Sequence, residues 1–208
     1  MKRSLLPRGF SLVELLVVMA ILIVLMALTL PAINSTMQAN NLTHATQAVL
    51  DELSLARQSA TSKNRVVETR FYRFADPASG SPDQRFRALQ NFELQEDGSA
   101  VAIDRMRRLP QGVIIDGGAT LSPLLGSARA KQWTTNDTQI PLPGIGTAYE
   151  TRIVRLRPDG STDLLASAQP WFATLHYENT GDNLSSPPPN FAMIQIDPWT
   201  GQAQLYRP

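Results

Sequence analysis

Hydrophobic and polar positions are distributed unevenly along this 208-residue chain. From Leu12 to Leu30, 19 residues carry a single charge, Glu14. As a helix at 1.5 Å per residue the run covers roughly 28 Å, close to the roughly 30 Å hydrocarbon core of a bilayer. Beyond Pro31, which is expected to kink a helix by removing one backbone hydrogen bond, the pattern changes but stays helical. Ile33, Met37, Leu42, Ala45, Val49, Leu53, Ala56 and Ala60 recur mostly every three or four residues, with Gln, Asn, Thr and Ser between them. That stripe predicts an amphipathic helix to about Ser62, its apolar face packed on the domain's own core.

Past Asn64 the period shortens. Alternating or β-rich segments run over 65–74, 85–94, 112–115, 151–157, 171–177 and 191–206. Turn chemistry separates them, most clearly at Arg157-Pro158-Asp159-Gly160 and Asp197-Pro198-Trp199-Thr200-Gly201, both expected to be hairpin turns. Residues 116–150, rich in Gly, Pro, Ser and Thr, interrupt the strands and are expected to form an exposed loop insertion. One long helix followed by consecutive antiparallel strands is an α+β arrangement in which a helix face covers a sheet face. The expected layout is a transmembrane helix over 10–31, an amphipathic helix over 32–62 and a β-rich domain over 63–208.

Charge and composition change this picture little. Nineteen Lys and Arg balance 18 Asp and Glu, so the chain has no global pull toward nucleic acid or acidic lipid. There are no cysteines, which removes disulfide frameworks and thiolate metal sites. The local charge at the N-terminus is informative: Lys2, Arg3 and Arg8 precede the apolar run with no acid among residues 1–9. By the positive-inside bias the N-terminus is expected in the cytoplasm and the bulk of the chain, after a single pass, on the far side of the membrane.

A cleaved secretory signal fits poorly, because its apolar stretch would be about 7–15 residues ending in a small-x-small site. A plain signal anchor accounts for everything except Glu14. A carboxylate inside a spanning helix costs up to about 3 kcal/mol on insertion scales, so it calls for a partner.

The stretch Arg8-Gly9-Phe10-Ser11-Leu12-Val13-Glu14-Leu15-Leu16-Val17-Val18 resembles the type IV prepilin and pseudopilin signature. In that family a prepilin peptidase cuts after the glycine, methylates the new N-terminal residue and leaves a glutamate at the fifth mature position. The resemblance implies a leader of residues 1–9, cleavage between Gly9 and Phe10, N-methylation of Phe10 and a filament-assembly role for Glu14. It also implies the pilin fold, no cofactor, and as partners other pilin subunits, the peptidase, an inner-membrane assembly platform and the lipid bilayer. A freed Phe10 amine is cationic near neutral pH, and Glu14 of one subunit can neutralise that of its neighbour in a low-dielectric bundle. Leu53 to Ala60, Asn64-Arg65-Val66-Val67, the Arg157–Gly160 turn and Thr200-Gly201 resemble the minor pseudopilin H and FimT-like branch. The tail from Phe191 to Pro208 is similar to pilin-like proteins of verrucomicrobial gene cassettes. The cysteine pair with which many minor pilins staple the C-terminus is missing.

No catalytic constellation accompanies these features, and the chain is not expected to be an enzyme. Gly144-x-Gly146 lacks the context of a dinucleotide fingerprint. Asp159-Gly160-Ser161-Thr162-Asp163 lacks the terminal Glu of a calcium loop and reads as a turn. His44 and His176 have no zinc-ligand spacing, and Asp51-Glu52 is expected on a solvated helix face. Two functions remain open, a minor pilin or pseudopilin of a type IV pilus or type II secretion filament, and a DNA-binding minor pilin for uptake. The second would use Arg105, Arg107, Arg108, Arg152, Arg155 and Arg157 as phosphate contacts, recognisable by steep salt dependence. A membrane-tethered enzyme is the third and least supported.

Overall fold

The computed structural model describes residues 11–77, 82–166 and 170–207, and for residues 27–36 the backbone only. The chain divides into two compact units, residues 1–40 and 41–208. A single α-helix, α1 (Leu12–Lys63), begins in the first and ends in the second.

In the first unit the large apolar side chains from Leu12 to Met26 are 45% to 80% exposed. Met37, expected on the buried stripe, is 58% exposed. Among the described residues no helix is long and apolar enough to cross a membrane. The described side chains of the apolar run stop at Met26, four residues before the run itself ends. The kink expected at Pro31 concerns a side chain outside the described residues; the α1 backbone assignment continues through that position.

In the second unit α1 carries the expected stripe. Leu42, Ala45, Val49, Leu53, Ala56 and Ala60 are each no more than 2% exposed, at spacings of three and four that place them on one face. They meet a nine-stranded antiparallel sheet made of β1 (Val67–Ala75), β2 (Gln84–Leu94), β3 (Ala100–Ala102), β4 (Arg107–Arg108), β5 (Val113–Ile115), β6 (Glu150–Leu156), β7 (Trp171–Tyr177), β8 (Ala192–Ile196) and β9 (Ala203–Tyr206). The order is β6-β1-β2-β5-β7-β8-β9, with β3 and β4 also pairing with β2. The β-rich segment over 191–206 is two strands, β8 and β9, joined by the expected turn at Asp197–Gly201, in which Asp197 Oδ1 accepts the Trp199 and Thr200 amides, both at 2.8 Å.

Strand alternation gives the sheet two buried faces. Phe71 of β1 and Leu89 of β2, opposite each other in register, join the helix stripe in the main core. Tyr72, Phe74, Ala88 and Phe92 point the other way and pack with Leu142 and Tyr149. Tyr72 and Tyr149 meet edge to face, with centroids 5.2 Å apart. A side chain such as Phe71 or Leu89 contributes about 1.5–3 kcal/mol on full burial.

The segment 116–150 therefore differs from the exposed loop expected. Leu121, Leu124, Leu125, Leu142 and Tyr149 are buried. Leu124 and Leu125, in a 3-10 turn (Pro123–Leu125), enter the helix-side core, whereas Leu142 and Tyr149 cover the opposite face of the sheet. Isolated apolar residues in a turn-rich stretch carry no period, yet each fills a site left by the strands.

The C-terminal part is tied back without covalent links. Arg57 Nε of α1 donates to Thr200 O at 2.7 Å, and Arg207 Nη1 to Thr43 Oγ1 at 2.7 Å. The two turns pack against each other, Thr162 N donating to Pro198 O at 2.9 Å. Gly201 has φ +62°, and a Cβ there would collide with the carbonyl of Gly160, so glycine is required on both conformational and steric grounds.

Candidate functional site

The first described residues form a reciprocal cap. Glu14 N–H donates to Ser11 Oγ at 3.2 Å, and the Glu14 carboxylate accepts the Ser11 amide at 2.9 Å. Ser11 precedes α1 and Glu14 is its third residue, so each side chain satisfies a backbone donor that the helix start leaves free. The only carboxylate of the apolar run is thus anchored in the first turn, four residues after Phe10, and the large apolar side chains that follow are exposed leucine, valine, isoleucine and methionine. Such a surface is an association or lipid surface rather than a solvated one. Gly9 and Phe10, the expected cleavage and methylation positions, lie outside the described residues. Ser11 escaped the sequence reading, although Ser-x-x-Glu ahead of an apolar run is a capping signature.

The six arginines weighed as phosphate contacts are not gathered into one patch. Arg152 and Arg155 lie on β6 and Arg107 and Arg108 on β4, with β1 and β2 between these strands in the sheet. Four of them are engaged. Arg107 Nε donates to Glu52 Oε1 at 2.6 Å, Arg108 Nη2 to Pro143 O at 2.9 Å, and Arg152 Nη2 to Glu150 Oε2 at 3.2 Å, while Arg155 Nη2 lies 3.0 Å from Glu68 Oε1. Arg105 and Arg157 are exposed.

Glu52 corrects the expectation of a solvated acid pair. Asp51 is exposed and accepts from Gln47, but Glu52 is 3% exposed. Asn91, itself fully buried, donates to Glu52 Oε2 at 2.9 Å. Burial first, then the neighbouring Asp104, push the Glu52 carboxyl up to about 7 against the pull of Arg107.

A second set of charges is buried beneath residues 131–137. Arg70, with no exposure, pairs with Glu68 and Asp137, both at 2.7 Å, and its guanidinium lies 3.9 Å from the Phe92 ring centroid. Lys131 Nζ is 2.9 Å from Glu68 and 2.6 Å from Asp137, and stands over Trp133. With Arg155 also 3.0 Å from Glu68, the two acids face three bases, and no apolar period announces them in the sequence.

The histidines take different places. His44 is exposed, whereas His176 on β7 is fully buried, its Nε2 3.3 Å from Asp116 Oδ2. Burial pushes Asp116 up, but hydrogen bonds from His176, Leu184 N and Gly118 N outweigh it and hold the carboxyl below its usual range. Asp159 Oδ1 accepts the Ser161 amide at 2.9 Å, the bond of an ordinary Asx turn. Among the described residues no group of three or more His, Asp or Glu is arranged to hold a metal ion.

Compared with known families, residues 7–30 match the one described as Prokaryotic N-terminal methylation motif. No curated protein matches the chain. Two solved structures resemble it distantly. The minor pseudopilin EpsH from the Type 2 Secretion System of Vibrio cholerae has a TM-score of 0.43 at 12% identity, over 81% of this chain and 98% of that one. The type IV minor pilin FimU of Pseudomonas aeruginosa has a TM-score of 0.43 at 12% identity, over 80% of this chain and 89% of that one.

Proposed function

We propose that the chain is a minor pilin or pseudopilin, anchored in the inner membrane by residues 10–31 and then built into a type IV pilus or type II secretion filament. Its role is structural rather than catalytic. The observation that carries this reading is the methylation motif over residues 7–30, with Glu14 as the one charge of the apolar run it opens. The reciprocal cap with Ser11 supports it, since it fixes the carboxylate in the first helical turn, four residues after the position whose amine cleavage would free.

In this reading the leader of residues 1–9 is removed by a prepilin peptidase at the cytoplasmic face and Phe10 is N-methylated. Monomethylation keeps the amine basic, so it remains a cation for Glu14 of a neighbouring subunit. Neutralising a carboxylate in a low-dielectric bundle fixes the axial register of an incoming subunit, because a slipped register leaves both charges unpaired. The exposed apolar side chains from Leu12 to Met26 supply the contact area. The span argument uses the run to Leu30 as counted in the sequence.

Two measurements test this. Mass spectrometry of the mature protein is expected to show loss of residues 1–9 and one added methyl group on Phe10; a chain retaining Met1 overturns the reading. Glu14→Gln, which keeps size but not charge, is expected to be processed normally yet excluded from filaments, and normal incorporation counts equally against it.

A further inference from the structure

The connection between β3 and β4 is held to the rest of the second unit by an unusual junction. Four elements meet there. From α1 comes Glu52, while Asp51 beside it turns to solvent. From β2 comes Asn91, whose side chain donates to the Glu52 carbonyl and carboxylate, both at 2.9 Å, and accepts Thr69 of β1 at 2.8 Å. From the connection come Asp104 and Arg107. Asp104 Oδ1 accepts the Asn91 amide at 3.3 Å, and its main-chain carbonyl accepts Gln90 Nε2 at 2.7 Å. The charges facing Glu52 are therefore one acid, Asp104, and one base, Arg107.

The count of charges does not close if both acids are ionised. Two carboxylates then share one guanidinium, and Arg107 is itself half exposed. One carboxylate oxygen, Asp104 Oδ2, is buried and has no hydrogen-bond partner. A buried acceptor without a donor costs about 1–3 kcal/mol. A single proton held by Glu52 removes both problems, giving the orphan oxygen a donor and leaving one negative charge for Arg107.

We propose that Glu52, Asp104 and Arg107 form a proton-operated latch that fastens residues 100–108 to α1 and β2 when protonated and releases them when the proton leaves. The segment suits release, because β3 and β4 are only three and two residues long and most of residues 101–108 are exposed. It is also held by edge pairing along β2, the Ile103 amide on Asn91 O, the Arg108 bond to Pro143 O and the half-buried side chains of Ile103 and Met106. The sign follows from linkage. A carboxyl whose folded pKa is raised binds its proton more tightly folded than unfolded, so its stabilisation is present below the ordinary value of 4.5 and is lost as pH rises through about 7.

The test is amide hydrogen exchange of the full chain in detergent micelles, read by mass spectrometry at about pH 5.5 and about pH 8.5 and corrected for the intrinsic pH dependence of exchange. Protection over residues 100–108 is expected to fall about tenfold or more between the two, with β7 and β8 unchanged; a tenfold change corresponds to one unit of pKa shift. Glu52→Gln, which keeps a donor toward Asp104 without titrating, and Asp104→Asn, which removes the second charge, are each expected to abolish that dependence. Protection that does not change with pH in the wild type overturns the latch. So does a pH response that survives in both variants.

Discussion

Two regions of this molecule invert the usual rule in opposite senses. Between Leu12 and Met26 apolar side chains face outward; beneath residues 131–137 two acids and two bases are buried among aromatic rings. The difference lies in who supplies the partner. The domain brings Glu68, Arg70, Lys131 and Asp137 together from β1 and from the 131–137 segment, with Arg155 of β6 at the edge, so each charge finds a counter-charge within the chain. The apolar stretch has no such complement among the described residues, and its complement has to be lipid or another subunit.

That contrast predicts where mutation will be felt. Asp137→Ala leaves Arg70 and Lys131 short of a counter-charge and is expected to destabilise the folded chain by about 3–5 kcal/mol, measured by chemical unfolding in detergent. Replacing all four charges together by Leu or Met is expected to cost far less than that single change, because no fully buried charge is left unpaired and Arg155, which loses Glu68, is partly exposed; an additive loss would mean that the ions hold the fold by attraction and not by mutual compensation. Next in size is an acid-side effect at Asp116. Its folded pKa lies below the ordinary 3.8, so the stability it contributes is present above that value and is lost as pH falls through the folded value. Asp116→Asn should flatten acid unfolding there, and an unchanged profile would remove Asp116 from the account. Leu16→Ala, on the exposed stretch, is expected to shift domain stability by under about 0.5 kcal/mol while weakening filament assembly. A shift several times larger would break the comparison by showing that the stretch is supported from within.

How much of this was legible in the sequence follows from which side chains carry a period. The helix stripe from Leu42 to Ala60 was readable because burial there repeats every three to four residues, and the strands β1, β2, β5, β6 and β7 because runs of β-forming residues stand between turn signals, although β1, β2, β5 and β7 are buried on both faces. Strands β3 and β4 were not, since Ala-Val-Ala and Arg-Arg hold no pattern and pair only because β2 is eleven residues long and extends past β5. Glu52 was misread through its neighbour, although adjacent positions on a helix point about 100° apart and Asp51 says little about it. The cover formed by residues 131–149 was illegible because ion pairs and single aromatic residues bury it. At the N-terminus Glu14 stood out as a lone charge, whereas the part played by Ser11 needed the capping pattern to be noticed.

The ties from Arg57 to Thr200 and from Arg207 to Thr43, with the glycine contact between the two turns, have a consequence for where this domain can mature. With no cysteine in the chain, closing the C-terminus requires neither an oxidant nor a thiol–disulfide exchange catalyst. Folding yield and melting temperature should be the same with or without dithiothreitol, so the domain is equally well formed on the reducing and the oxidising side of a membrane.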